Sequence, residues 1–158
     1  MAIIGFENLA DDGKSAKVPN GYRDLNWNNF IAVDDESLKS EGFDNLIHSG
    51  EAAGYNGDQK PAGFRSPDSD ADFNLNRGYF TAVNANDLKV KVVGFDDGER
   101  VAKQVLTLDT EREFVKFGAQ FDDIDEVRFT PRGGTAADPN VPDAFTQSFL
   151  MDDLFIDF

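Results

Sequence analysis

Leu88-Lys89-Val90-Lys91-Val92 alternates apolar and charged side chains with a period of two, which is typical of a β-strand with one buried face. Residues 101–108 are a second strand candidate. Between them, Phe95-Asp96-Asp97-Gly98-Glu99 carries the Asp-Gly signal of a tight turn. This stretch therefore predicts an antiparallel β-hairpin.

The same period recurs along most of the chain, and long polar loops are predicted at residues 8–26, 49–71 and 130–144. One helical turn is predicted at residues 35–40. Short strands at intervals of roughly ten residues indicate an all-β, antiparallel β-sandwich or jelly roll. The further predicted strands cover residues 3–9, 27–33, 45–48, 62–65, 73–83, 114–117, 127–129 and 145–158, the last with a bulge near Asp152-Asp153.

The amino-acid composition of the chain limits the kinds of partner that it is expected to bind. A chain of 158 residues is expected to form one domain, residues 1–158, and 15 Phe residues supply most of its large apolar surface. The net charge of −15 disfavours nucleic acid and anionic lipid as partners, because both repel an acidic surface. There is no Cys for disulfides or thiol chemistry, and the apolar runs are too short for membrane insertion.

Both ends of the chain place carboxylates within predicted strands. Glu7 follows Ile3-Ile4-Gly5-Phe6, and Asp152 and Asp153 interrupt the apolar run 149–156. Burying an unpaired carboxylate is costly, so such a group needs a cation or a full set of hydrogen-bond donors. If the terminal strands are neighbours, Glu7 and Asp152 are able to share one calcium ion, which favours oxygen ligands. The alternative is a pair of edge-strand charges that face water, and Asp153 is a weaker ligand candidate that would otherwise cap a turn.

Six motifs in order along the chain resemble a family of bacterial extracellular jelly-roll domains, related in pattern to galactose-binding-like carbohydrate-binding modules. The motifs are Gly5-Phe6-Glu7, Gly21-Tyr22 with Leu25-Asn26-Trp27-Asn28-Asn29-Phe30, Gly78-Tyr79-Phe80-Thr81-Ala82, Val92-Val93-Gly94-Phe95-Asp96-Asp97-Gly98, Ile124-Asp125-Glu126-Val127-Arg128-Phe129 and Phe149-Leu150-Met151-Asp152-Asp153-Leu154.

This resemblance implies a structural calcium ion held by Glu7 and Asp152, with backbone carbonyls from a neighbouring loop, for which residues 34–40 are a candidate. It also implies a glycan or polysaccharide as partner. The segment 49–71 is longer and more charged than the family pattern, so the preference for a particular sugar does not carry over.

Candidate sugar-binding residues combine aromatic rings with side chains that bond hydroxyl groups. Trp27, the one Trp, is flanked by Asn26, and a polar loop holds Tyr55 and Arg65. A place in the core is the favoured alternative for Trp27. Tyr55 and Arg65 are the better surface candidates, since long loops often carry binding residues.

Other chemistry has weaker signals. Asp68, Asp70 and Asp72 have the spacing of the first EF-hand ligands, but Phe73 and Tyr79 break that pattern, which favours a solvated acidic loop. His48 beside Ser49 lacks the motif of a catalytic nucleophile. Paired carboxylates for glycoside hydrolysis remain open among 30 acidic residues.

These observations give three hypotheses for function. The first is a non-catalytic, calcium-stabilised carbohydrate-binding module of a secreted or surface protein. The second is a structural or adhesive β-sandwich that contacts protein or matrix, and the third is a polysaccharide-cleaving jelly-roll enzyme. The expected location is extracellular or at the cell surface. No cleavable signal peptide is predicted, which leaves three explanations: a cytosolic chain, a piece of a longer protein, or export by a route without an N-terminal signal.

Overall fold

The computed structural model describes residues 1–10, 13–43, 46–138, 140 and 145–158. These residues form two antiparallel β-sheets packed as a β-sandwich, which confirms the predicted fold class. No helix in the described part of the chain is long and apolar enough to cross a membrane. The elements are β1 (Ala2–Ile4), β2 (Ala16–Lys17), β3 (Asn26–Asn28), β4 (Phe30–Asp34), α1 (Asp35–Ser40), β5 (Ala52–Asn56), β6 (Ala62–Arg65), β7 (Asn74–Ala82), β8 (Ala85–Asp96), β9 (Glu99–Leu108), β10 (Glu113–Lys116), β11 (Glu126–Ala136) and β12 (Phe149–Asp157).

The two sheets differ in size and in how their strands are ordered. The seven-stranded sheet has the order β10-β7-β12-β5-β4-β2, and β1 adds to β12. The five-stranded sheet has the order β3-β6-β11-β8-β9. The hairpin predicted from residues 88–108 is the pair β8 and β9, with Val90 opposite Leu106.

Phenylalanine rings join the two sheets at the centre of the molecule. Phe129 of the five-stranded sheet lies 5.8 Å from both Phe30 and Phe149 and 5.9 Å from Phe80, all three in the seven-stranded sheet. It also lies 6.0 Å from Phe64 of its own sheet. All five side chains are almost fully buried. The apolar area that these rings bury and the contacts between them contribute a large part of the stability of the core.

The chain passes from one sheet to the other at Asn29. Residues 27–33 are predicted as one strand, but β3 ends before Asn29 and pairs in the five-stranded sheet, whereas β4 begins after it in the seven-stranded sheet. Asn29 has a left-handed φ of 58°, which Asn tolerates better than most residues. Its side-chain amide donates to the carbonyls of Gly57 and Pro61 at 2.9 and 3.0 Å. These bonds fix the point at which the strand breaks.

A second apolar cluster covers part of the outer face of the seven-stranded sheet. It unites α1 with the segment that follows it and with outward side chains of β4, β5 and β12. Asp34 caps α1 by accepting the Ser37 N–H at 2.8 Å, and the predicted helical turn is confirmed. The buried members are Val33, Leu38, Phe43, Leu46, Ile47, Ala53, Val83 and Leu150.

Gln120 occupies the free edge of the five-stranded sheet at β9. Its side-chain amide donates to the Lys103 carbonyl at 3.0 Å and accepts the Lys103 N–H at 3.3 Å. The Gln120 side chain thereby satisfies the N–H and the carbonyl of Lys103, the two backbone groups to which a further strand would bond at this residue.

Several predicted boundaries are wrong. Strand β5 lies in the predicted loop 49–71, because its small side chains at Ala52, Ala53 and Gly54 give no period-two signal. Strand β11 continues to Ala136, inside the predicted loop 130–144, through the hydrogen bonds of its pairing with β8. The strand predicted at residues 45–48 begins outside the described residues, and its described part, 46–48, is irregular.

Replacing Phe129 by Ala should lower the free energy of unfolding by about 3–5 kcal/mol, because a cavity would open between the sheets. Phe114→Ala, at a ring that is 43% exposed, should cost about 1 kcal/mol or less. Urea denaturation of both variants measures the difference. Similar losses in the two variants would contradict a core centred on Phe129.

Candidate functional site

The two ends of the chain meet on one edge of β12, so the condition for a site shared by Glu7 and Asp152 is met. Strand β1 pairs with β12 through Ile4 opposite Leu154, and β5 pairs with the earlier part of β12 through Gly54 opposite Met151. The register against β7 shifts after Asp152, and Asp153 has a left-handed φ of 44°. The predicted bulge is therefore confirmed, and it lies where β12 changes partner from β5 to β1.

Asp152 is a buried carboxylate, with only 2% of the residue exposed. One oxygen accepts the Ser49 N–H at 2.9 Å and lies 3.5 Å from the Ser49 hydroxyl, and the other accepts the Asp153 N–H at 2.9 Å. The pKa of Asp152 is raised to about 7: burial is the largest cause, the charges of Asp153 and Glu7 add to the rise, and the two N–H donors oppose it. These donors leave its negative charge incompletely compensated.

Glu7 approaches the same place from the chain segment after β1. A Cβ atom at Gly50 would collide with the Glu7 side chain, and one at Gly5 would collide with its carboxylate. Gly50 also has a left-handed φ of 61°, so the position suits glycine on both counts. The segment Ser49–Gly50 thus contacts both acids, and the Asp35 N–H donates to the carbonyl of Glu51, the next residue along the chain, at 2.7 Å.

Asp153 is directed elsewhere. Its carboxylate lies 3.7 Å from Nε2 of His48, whose ring stacks on Tyr79 with centroids 3.3 Å apart. The structure therefore brings Glu7 and Asp152 together and places Asp153 against a histidine. A pair of carboxylates beside a hydroxyl oxygen is a donor set that fits calcium.

In calcium-free buffer, the free energy of unfolding should fall as the pH rises from about 4 to about 7. Over this range the unfolded chain has already ionised Asp152, whereas the folded protein still holds its proton, so the folded state loses stability. Over the whole interval between the two pKa values, the titration of Asp152 should lower the free energy of unfolding by on the order of 4 kcal/mol. Asp152→Asn removes this titration.

The measurement is urea denaturation of both proteins in chelator between pH 5 and pH 8. The difference between their unfolding free energies should change across this range in favour of the variant. Parallel curves would show that the Asp152 carboxylate titrates normally.

A second acidic group lies near the β8–β9 turn. Carboxylate oxygens of Asp72, Asp96 and Asp125 are within 4.8 Å of one another. Desolvation, followed by the charges of neighbouring acids, raises the pKa of Asp72 and of Asp96. Asp125 accepts the Asp97 N–H at 2.9 Å, so it already has a partner. The sequence spacing groups Asp72 with Asp68 and Asp70. In the fold, Asp72 lies instead beside Asp96 and Asp125, which come from distant parts of the sequence.

Trp27 lies in the core. Only 5% of the residue is exposed, and its ring packs 5.1 Å from Phe64 and 5.7 Å from Phe6 and Phe30. Its indole N–H donates to the Tyr22 carbonyl at 2.8 Å, so its polar atom is satisfied inside the protein. The ring faces the sandwich interior, and its neighbours on β3 point outward.

An open groove of about 560 Å³ runs along the outer face of the five-stranded sheet at β3, β6 and β11. Asn26 is opposite Arg65 across the β3–β6 pair, and Arg65 is opposite Glu126 across the β6–β11 pair. Gly63 lies beside Arg128 in the next row, where any Cβ would collide with the Val127 carbonyl. The groove thus joins two predicted residues, Asn26 and Arg65, beside Gly63, which has no side chain.

Tyr55 lies on the outer face of the other sheet, beside Phe145 and the second apolar cluster. Burial, and secondarily the charge of Asp58, raises the pKa of its hydroxyl. It is therefore separate from Asn26 and Arg65, and the four predicted sugar-binding residues do not form one site.

The same outer face carries an aromatic stack that sequence analysis missed. The Arg77 guanidinium lies 4.2 Å from the Phe155 ring centroid and 5.7 Å from that of Phe114. Tyr79 is 5.1 Å from Phe114. The rings come from β10, β7 and β12, and only the strand order shows that these are neighbours.

No protein-family model and no curated protein sequence matches this chain. Among solved structures, the chain is similar to TmCBM61 in complex with beta-1,4-galactotriose, with a TM-score of 0.44 and 11% identity over 88% of this chain and 94% of the other. It is also similar to a structure described as "CBM4 structure and function", with a TM-score of 0.34 and 14% identity over 81% of each chain.

Proposed function

We propose that this chain is a non-catalytic carbohydrate-binding module whose glycan lies in the groove on the outer face of the five-stranded sheet. The observation that carries the proposal is the row Asn26, Arg65 and Glu126 beside Gly63 and Arg128. Amide, guanidinium and carboxylate groups supply donors and acceptors for sugar hydroxyls. They are held on paired strands, which position side chains more precisely than loops do.

The absence of side-chain atoms on Gly63 adds to this argument. A polymer in the groove is able to approach the backbone of β6 and β11, with the long side chains of Arg65 and Arg128 on either side. The motifs that resemble carbohydrate-binding modules point to the same function. The adhesive module and the polysaccharide-cleaving enzyme remain the alternatives that experiment has to separate.

A structural calcium ion between Glu7 and Asp152 is part of the proposal. Bound there, the ion would neutralise two carboxylates and join the segment after β1, the Ser49–Gly50 segment and β12. Extracellular modules bind calcium with dissociation constants of about 10⁻⁴–10⁻³ M, which suits an extracellular or cell-surface location.

A non-catalytic role agrees with the positions of His48 and Ser49. The imidazole stacks on Tyr79 and faces Asp153, whereas the Ser49 hydroxyl contacts Asp152. The two side chains thus contact different carboxylates, whereas a nucleophile and its base share a hydrogen bond.

Calcium should raise the unfolding free energy of the wild type by about 2.7 kcal/mol at 100-fold excess over its dissociation constant. Glu7→Gln and Asp152→Asn should remove this rise, because each takes away a ligand charge. Thermal unfolding in calcium and in chelator measures the response.

Two acidic controls make this test specific. Asp157→Asn changes another β12 carboxylate, which lies 3.2 Å from the N-terminal amine, and should keep the calcium response. Asp72→Asn should also keep it. A response lost only in Asp72→Asn would move the metal to the cluster near the β8–β9 turn and contradict the terminal site.

Arg65→Ala should weaken glycan binding by roughly 10-fold or more, because hydrogen bonds to charged groups contribute about 1.5–3 kcal/mol. Phe114→Ala, on the aromatic stack of the other sheet, should bind as the wild type does. A glycan array identifies the ligand, and titration calorimetry compares the variants.

Loss of binding in Phe114→Ala alone would place the sugar on the seven-stranded sheet. Absence of glycan binding in the folded wild type, together with binding to a protein or matrix component, would favour the adhesive module.

A further inference from the structure

The outer face of the five-stranded sheet is basic in a chain whose net charge is −15. Its central rows are Arg65–Glu126–Phe95–Arg100, Arg128–Val93–Lys103, Thr130–Lys91–Val105 and Arg132–Lys89–Thr107. Glu126 is the one acid in these four rows. Seven of the chain's 15 Lys and Arg residues lie in them: Arg65, Lys89, Lys91, Arg100, Lys103, Arg128 and Arg132.

Strand alternation fixes these side chains on the outside. Val90, Val92, Val127 and Phe129 belong to the core between the sheets, so the residues between them point the other way. Arg65, Arg128, Arg132 and Lys103 are exposed, and Lys89 and Lys91 are half-buried. Because paired strands lie about 4.8 Å apart, the charges form a two-dimensional array rather than a single pair.

Packing and a hydrogen bond hold the Arg128 guanidinium in place. The Arg128 guanidinium lies 4.5 Å from the Phe95 ring centroid, and its Nε donates to Glu126 at 2.8 Å. Val93 is only 3% exposed although it points outward between Arg128 and Lys103. Arg128 and Lys103 are themselves exposed, and side chains of this kind lay their aliphatic stems along apolar surface while the charged ends stay in water.

Few of these cations are neutralised inside the protein. Arg128 pairs with Glu126, and the Lys89 ammonium donates to the Thr107 hydroxyl at 2.8 Å. In the ranges that the structure describes, Arg65, Lys91 and Lys103 have no carboxylate within ion-pair distance. Among the described residues these three cations thus have no carboxylate partner, although the sequence holds twice as many acids as bases.

We infer that the glycan is an anionic polysaccharide, with carboxylate or sulfate groups, that crosses from the groove at Arg65 over β11 and β8 towards Lys103. This inference rests on the proposed function and specifies its ligand class. The Arg fork pairs with carboxylate or sulfate oxygens, while Asn26 and Thr130 are available to hydroxyl groups. A neutral glycan would form no ion pairs with these cations.

Charge also favours a polysaccharide over nucleic acid. Double-stranded DNA carries one negative charge per roughly 1.7 Å of its axis and is wide enough to come close to the acidic remainder of the surface. Exposed charges act over about 10 Å at moderate salt, so a thin polymer that stays on the basic face avoids most of that repulsion.

The first test compares four ligand types for the wild-type protein at constant calcium: polygalacturonate, a sulfated galactan, neutral galactan and single-stranded oligothymidylate. Affinity electrophoresis and calorimetry at 50 and 300 mM salt give the affinities. We expect binding to one or both acidic polysaccharides, at least 10-fold weaker binding to neutral galactan, and a loss of affinity with salt. The two acidic arms distinguish carboxylate from sulfate.

Each other outcome has a definite meaning. Equal, salt-independent binding to neutral galactan would overturn the inference and leave the carbohydrate-binding module intact. Binding to none of these polysaccharides, nor to any glycan of the array, would overturn the proposed function as well. Oligothymidylate binding as tight as that of the best polysaccharide would overturn the choice of a glycan for the basic face.

The second test uses two double variants of equal net charge. Lys91→Gln with Lys103→Gln removes two charges from the basic face, and Lys14→Gln with Lys17→Gln removes two from elsewhere. The first should weaken binding to the acidic polysaccharide at least 10-fold and reduce its salt dependence, whereas the second should leave both unchanged. Equal weakening would show that only net charge matters, which would overturn a defined basic face. Thermal unfolding verifies that both variants are folded.

Discussion

The position of one carboxylate on β12 constrains how the two ends of the chain are joined. Asp152 lies where the edge of β12 passes from β5 to β1, and 2% of the residue is exposed. A buried carboxylate must be protonated, fully hydrogen-bonded or paired with a cation. Two backbone N–H groups and the Ser49 hydroxyl supply part of that compensation, while Glu7 adds charge of the same sign. The closure of the sandwich by its first and last strands therefore depends on how this charge is neutralised.

The two outer faces of the sandwich differ in both covering and charge. On the seven-stranded sheet, α1 and an apolar cluster cover one part, and Arg77 with aromatic rings forms another. On the five-stranded sheet, polar and basic residues form rows over a continuous apolar core. The chain has few cations, and many of them lie on the outer face of the five-stranded sheet. This uneven distribution distinguishes the two outer faces more clearly than any single residue does.

Local sequence patterns predict several elements of this fold. Features that depend on which strands are neighbours in the sheets have no such local pattern. The hairpin of β8 and β9 follows from the period-two pattern and the bulge at Asp152 from an interrupted apolar run, and the turn of α1 was also predicted. The break at Asn29 was missed because a left-handed residue held by distant carbonyls leaves no local signal. The basic face was missed for a related reason. Lys89 and Lys91 were read as a strand signature, and their proximity to Arg128 needs the strand order.

The side chain of Gln120 has a consequence for self-association. Strand β9 is a sheet edge with Val101 and Val105 about half exposed, a combination that favours pairing with the edge of another molecule. At its middle, the Gln120 amide already holds the N–H and the carbonyl of Lys103. A second copy must displace that amide before it is able to extend the sheet past this residue. Many copies concentrated along one polymer would accordingly be protected from merging their sheets through this edge.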